Sequence, residues 1–176
     1  MEIIVPAVIA HGGAGPGPKR QKNLEIAVQK AASILTSGGT ALEAAVEACV
    51  ILEDDPVFNA GTGSVIRTDG SVLTDASIQV GDGRVGFVIA MEDTPNPIRV
   101  AADLLDEEIN GLTSAGARLW ADQRSHLNAK VEGRSPEGQI GDENAEITGD
   151  TIGVIARDNT GMIVVATSTG GCSYRP

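Results

Sequence analysis

The apolar positions of this chain change period along its length, and each change marks an element. Ile3 to Ala10 is an apolar, β-branched run of strand length that ends in His11-Gly12-Gly13-Ala14-Gly15. From Lys22 to Thr36, residues Leu24, Ala27, Val28, Ala31, Ile34 and Leu35 recur at helical spacing and predict one buried face, closed by Gly38-Gly39. Thr40, with Glu43 three residues on, forms a capping box for a second helix from Ala41 to Leu52. That helix is apolar almost all round, so it belongs between a sheet and a further layer, either helices or a partner subunit.

Asp54-Asp55-Pro56 stops it, and a loop of small residues runs from Phe58 to Ser64. Val65–Thr68, Ser71–Val80 and Val85–Met91 predict a three-strand antiparallel meander turning at Asp69-Gly70 and Asp82-Gly83. Asn96-Pro97 is a helix start, with proline at the first helical position. Ile98, Ala101, Ala102, Leu105 and Ile109 would face inward from it. A further helix is predicted from about Ser114 to Arg124. Periodicity is lost from Ser125 to Asp150, which reads as an exposed, mobile linker. It returns in Ile152–Arg157 and Met162–Thr167, strands around the turn Asp158-Asn159-Thr160-Gly161. Helices come in pairs and strands as antiparallel neighbours, which is an α+β pattern and not an alternating βαβ one.

Composition narrows this picture. A chain of 176 residues can bury one real core. Trp120, Tyr174, Phe58 and Phe87 are its only aromatics, so that core is left to Ala, Val, Ile and Leu. A net charge of -11 argues against nucleic acid as partner. No apolar segment is long enough to span a membrane, and Glu2 and Pro6 do not suit a secretion signal, so a cytoplasmic protein is expected. Two cysteines and two histidines at these spacings make neither a disulfide framework nor a zinc site, and Cys49 reads as a small core residue.

Three stretches carry candidate chemistry. His11 to Gly15 fails as a dinucleotide fingerprint because Pro18 takes the third glycine position. As a lipase-type oxyanion loop it would need a nucleophile elbow, and the nearest candidate, around Ser168, has no room for a following helix. A plain glycine turn at a strand end explains it as well. Asn59 to Ser64 is either the lead-in to a hairpin or a turn whose carbonyls can meet a hard cation.

Thr151 stands at the junction of the linker and a strand. A β-branched residue opening a strand is common. A free N-terminal threonine, however, carries a hydroxyl beside an amine of pKa roughly 7.7–8.0, which can serve as its own base near neutral pH. An internal threonine lacks that base, so the chain would first have to be cut between Asp150 and Thr151.

The motifs H-G-G-A-G at His11, G-T-A-L-E-A-A-V at Gly39, F-N-A-G-T-G-S-V at Phe58, T-D-A-S-I at Thr74, D-T-I-G-V at Asp150 and T-S-T-G-G at Thr167 occur in one order over nearly the whole chain. Together they resemble the N-terminal nucleophile hydrolases of the plant-type asparaginase, isoaspartyl peptidase and glycosylasparaginase family. The resemblance implies a four-layer αββα sandwich, an α-subunit region over residues 1–150 and a β-subunit region opening at Thr151. It implies that Thr151 attacks the Asp150 carbonyl, so that the chain cuts itself, and then attacks an asparagine side-chain amide or a β-aspartyl bond.

Thr169 matches a second threonine that hydrogen-bonds the nucleophile, Asn59 a residue lining the substrate site, and Gly12 and Gly13 a loop that assists processing. Carbonyls of Leu52, Glu53, Asp55, Phe58, Ala60 and Thr62 match a loop that holds sodium, with no cofactor required for catalysis. The partners implied are a small amide or β-aspartyl dipeptide and a second αβ unit, giving a dimer of heterodimers. The family's pattern continues past T-S-T-G-G into a substrate-gripping G-R-V-G-D-S-P stretch and an oxyanion Thr-Gly pair. The residues here end at Pro176, and Arg175 does not sit in that motif. The expectation is thus a truncated form of the sandwich: a fragment, one of two polypeptides, or a non-catalytic interaction subunit. Much apolar surface would then be uncovered, including the helix at Ala41. Two rival activities stay open, glycosylasparaginase-type cleavage and an esterase built on Ser168.

Overall fold

A computed structural model describes residues 4–14, 20–135 and 151–172. Its centre is a six-stranded sheet in the order β1-β5-β6-β2-β3-β4, antiparallel except between the last two. The strands are β1 (Ala7–His11), β2 (Thr74–Val80), β3 (Val85–Met91), β4 (Gly111–Thr113), β5 (Ile152–Arg157) and β6 (Ile163–Thr169). Helices α1 (Gln21–Thr36), α2 (Ala41–Asp54), α3 (Pro97–Asp103) and α4 (Ser114–Gln123) accompany it. The result is a mixed, α+β arrangement.

Alternation along each strand decides which face is buried. Val154, Ala156, Val164, Ala166, Ile78 and Val80 point into a core shared with Ala44, Ala45, Ala48, Cys49 and Leu52 of α2. With so few aromatics, packing rests on alanine and valine, and these let α2 settle onto β5 and β6 while α1 covers its back. The apolar helix therefore lies between sheet and helix layer. It was expected to be left uncovered, but all its small residues are buried. What lies bare is the opposite face of the sheet, where Ile9, Ile155, Ile163 and Val165 are 68%, 44%, 45% and 37% exposed.

Thr40 Oγ1 caps α2 by accepting the Glu43 N–H at 3.1 Å, the threonine half of the capping box. A second acceptor comes from far along the chain: Asp158 Oδ2 takes the Ala41 N–H at 3.0 Å. Burial alone would raise the pKa of Asp158. The hydrogen bonds from Thr160, Ala41 and Met162 outweigh it and hold the carboxyl below its usual value.

Three expectations need correction, and one strand was not foreseen. Val65–Thr68 is not a strand. The turn at Asp69-Gly70 forms, with Arg67 N–H donating to Ser71 O at 2.9 Å, but Val65 makes only an isolated bridge to Arg134. The meander is therefore the β2–β3 hairpin alone. The helix after Asn96 ends at Asp103 and passes into a 3-10 turn, so Ile109 falls beyond it and is exposed. The short strand β4, parallel to β3, has no signal in the sequence pattern. Residues 125–135, read as the start of the linker, lie against the body: Val131 is buried, Ala129 N–H donates to Asp93 O, and Arg118 donates to the carbonyls of His126 and Leu127. Residues 136–150 lie outside the described set. Among the described residues no helix is long and apolar enough to cross a membrane.

Candidate active site

The register of the central strands brings the two candidate threonines together. Ile152 pairs with Ser168 across β5 and β6. One residue further along the same ladder, Thr151 stands opposite Thr169. Directly opposed residues share a face of the sheet, and here it is the uncovered one. Thr169 in turn pairs with Asp75 on β2. Thr151, Thr169 and Asp75 thus form one row across three strands, at the end of a cleft of about 270 Å³ that Ser77, Phe87, Ile89 and Thr167 also line. In the next row the Ser77 and Thr167 hydroxyls are 2.7 Å apart.

Thr151 is half-buried. Thr169 Oγ1 accepts the Gly171 N–H at 3.1 Å, fixing its rotamer at the strand end. Asp150, the other side of the proposed cut, lies outside the described residues, as does Arg175. Ser168 points the other way: it is buried in the core face and its Oγ has no hydrogen-bond partner, so it is not presented to the cleft as an esterase nucleophile.

Asn59 is fully buried, and both ends of its side-chain amide meet backbone. Its Nδ2 donates to Gly171 O at 2.6 Å, its Oδ1 accepts from Val65 N–H at 3.0 Å, and its own carbonyl takes the Gly170 N–H at 2.9 Å. It clamps the turn behind Thr169. Gly170 fits under that clamp only because it lacks a side chain, since a Cβ there would come within 2.5 Å of Asn59 Oδ1 and 2.6 Å of Ser64 Cα. Gly170→Ala is expected to cost about 1–3 kcal/mol through overpacking, read by urea unfolding. An unchanged midpoint would mean that the turn is free to shift.

Gly12 packs against the edge of Phe58 and its carbonyl accepts from Arg20 at 3.3 Å. Gly13, at φ 99°, donates its N–H to His11 Nδ1 at 3.3 Å. His11 pairs with Gly153 and its ring lies over that glycine, two residues from Thr151. The glycine loop is thereby placed at the same end of the sheet as the threonines.

The turn from Leu52 to Thr62 is held by its own carbonyls. Glu53 O accepts the Thr62 hydroxyl at 2.9 Å, Asp55 O the Phe58 N–H at 3.2 Å, and Ala60 O the Gly63 N–H at 3.1 Å. Carbonyls of Pro56 and Phe58 crowd Gly63 so closely that a Cβ would clash with them. Each oxygen keeps a second lone pair, and the set is neutral and hard, which fits an alkali cation. Among the described residues no group of three or more His, Cys, Asp or Glu is placed to hold a metal ion.

Two side chains at the site had no role of their own assigned from the sequence. Asp75 reads as the polar half of a strand alternation. Glu53 reads as the last charged turn of a helix, yet it is fully buried. Its Oε1 accepts the Ile98 N–H at 3.1 Å, capping α3, and Asn96 Nδ2 approaches Oε2 at 3.4 Å. Burial pushes its pKa up to about 8, against the lowering effect of the Ser168 hydroxyl, the Ile98 N–H and Asn96. Ser168 Oγ lies beside the carboxyl without reaching good hydrogen-bond geometry. The only sequence signal was the neighbourhood: a glutamate flanked by an all-apolar helix and a small-residue loop.

Comparison with known proteins supplies a further finding. The asparaginase family model matches residues 4–126. The chain is 38% identical to an isoaspartyl peptidase/L-asparaginase of Macaca fascicularis over 94% of its own length and 60% of the relative's. It is 35% identical to a protein of the same description from a Nostoc species, over 97% and 63% of the two lengths. It is 31% identical to a plant-type L-asparaginase of Pyrococcus horikoshii, over 94% and 63%. The chain thus spans about 60% of the length of these curated relatives.

Proposed function

The chain belongs to the asparaginase family, and from that membership we propose that it is the self-processing, nucleophile-bearing part of an amidohydrolase that acts on asparagine or β-aspartyl bonds. The observation that carries this is the row at the open end of the sheet, with Thr151 and Thr169 opposed on β5 and β6.

In processing, Thr151 Oγ1 attacks the Asp150 carbonyl. The Asp150–Thr151 C–N bond breaks as the C–O ester bond forms, and the nitrogen takes up the hydroxyl proton. Water then hydrolyses the ester, leaving the Asp150 carboxylate, the Thr151 hydroxyl and a free amine. In turnover that amine accepts the Thr151 hydroxyl proton as Oγ1 attacks the substrate's side-chain carbonyl. The proton passes to the leaving group, ammonia or an amine departs, and water releases aspartate from the acyl-enzyme. Thr169 holds the nucleophile's hydroxyl from the adjacent strand. Because the relatives matched are named isoaspartyl peptidase and plant-type asparaginase, small amides and β-aspartyl dipeptides are favoured over glycosylated asparagine.

The bare face bearing Ile9, Ile155, Ile163 and Val165 supports stacking of a second sheet, about 10 Å away. Residues that the relatives carry beyond the matched length would supply it, completing a four-layer αββα sandwich. Assembly of two such αβ units is the expected oligomer. Carbonyls of the turn from Leu52 to Thr62 would hold a structural alkali ion and supply rigidity there. Two unpaired cysteines, Cys49 and Cys172, suit a reducing, cytoplasmic setting.

Intact mass of the protein carrying that further segment tests both parts. Two species divided between Asp150 and Thr151 are expected, together with ammonia release from asparagine or cleavage of a β-aspartyl dipeptide. A protein that stays whole removes the self-processing proposal. One that cuts but hydrolyses neither substrate removes the substrate proposal.

A further inference from the structure

The ladder between β2 and β3 breaks at one place. Thr74 pairs with Met91 and Ala76 with Val88, so Asp75 faces two residues of β3, Ile89 and Ala90. Ala90 is the irregular one: it has φ 55°, a conformation that costs a non-glycine residue about 1–2 kcal/mol. Its N–H is taken by Asp75 Oδ1 at 2.7 Å in place of a backbone carbonyl. Bulges of this kind bend a strand and re-aim a side chain, and they gather next to active sites.

Here the residue that faces the bulge is the third member of the row. Asp75 pairs with Thr169, on the side away from Thr151. It is the only charged side chain lining the cleft among the described residues. The geometry points to Asp75 as a positioning residue for the catalytic pair, with one carboxylate oxygen fixed by the Ala90 N–H and the other set against the Thr169 hydroxyl. Thr169 Oγ1 accepts from Gly171 N–H and carries a proton of its own. A carboxylate on the β2 side draws that proton and turns the remaining lone pair of Thr169 toward Thr151, where the nucleophile's amine and hydroxyl must be received. The bulge is what makes this work. Without the Ala90 N–H a short aspartate side chain would be free to turn into solvent.

This inference rests on the proposed function, and its test separates the two. Asp75→Asn keeps an oxygen acceptor for Ala90 but loses the charge. In the self-processed, full-length protein, with asparagine as substrate, kcat is expected to fall about 10²-fold with KM and melting temperature little changed, the size of effect a misplaced reacting group produces. Wild-type kcat in Asp75→Asn, or a raised KM with kcat kept, would overturn the positioning role, the second result making Asp75 a substrate contact. Should Asp75→Asn fail to fold, Ala90→Gly added to it removes the backbone strain and the double variant carries the same measurement. An inactive wild type, by contrast, removes the proposed function itself.

Discussion

Full-length protein with Thr151→Ala is expected to remain a single uncut species and to lose activity by about 10³-fold or more, as removal of a nucleophile does elsewhere. One atom accounts for both losses. In the proposed mechanism the hydroxyl that opens the peptide bond is the hydroxyl that later attacks the substrate, and alanine has neither it nor any way to borrow it. The surroundings do not change: position 151 is half-buried at a strand end and the register from Ile152 onward is set by the ladder with β6. Stability should therefore be preserved, which thermal unfolding checks. An uncut variant that still releases ammonia at the wild-type rate would mean that another group does the chemistry. Ser168 is a poor candidate for that group because it faces the core.

The second large effect is expected at Glu53, and it concerns stability. Replacing it with alanine removes the acceptor of the Ile98 N–H and leaves a void beneath β6, at a combined cost of roughly 2–4 kcal/mol. Its charge adds a dependence on pH. The folded-state pKa is raised, from 4.5 to about 8, so the native protein holds this proton more tightly than the unfolded chain. The stabilisation is complete below about pH 4.5 and is lost as pH rises through about 8, with a slope of at most about 1.4 kcal/mol per pH unit. Glu53→Gln, which cannot ionise, should flatten that slope. Urea unfolding of both proteins at pH 5 and pH 8.5 gives the comparison. Parallel slopes would show that the carboxyl ionises without penalty and so is not dry. The consequence reaches the site, because Ser168 beside Glu53 is the residue between Thr167 and Thr169.

What could be read from the residues follows from the range of the forces involved. Local signals held. The capping box at Thr40, the proline at the start of α3 and the Asp158–Gly161 turn all rest on contacts within a few residues. Thr151 is legible from its place where a linker meets a strand and Thr169 through the family motif, and the turn between them then fixes the register that opposes them. Long-range features were silent. β4 is three residues of mixed character whose only support is a parallel neighbour. Val65–Thr68 has strand-like residues but no partner strand beyond a single bridge. Asn96 looked like the cap of α3, yet the acceptor at Ile98 comes from Glu53 in another helix. Asp75 lies in the T-D-A-S-I motif, but its place beside a bulge is not legible there because a bulge is a property of two strands together. Asn59 could be named through the family motif, but its clamp on Gly171 spans 112 residues and no pattern along the chain reports it.

The strand order has a mechanical consequence. β5 and β6 follow position 151, yet they lie between β1 and β2, which precede it. A break before Thr151 therefore severs one covalent link while two full ladders of backbone hydrogen bonds, one on each flank, stay closed. The new piece is held like a tenon in a slot of the old one. A cut there would free an end without freeing a fragment, and the new terminus would already stand opposite Thr169.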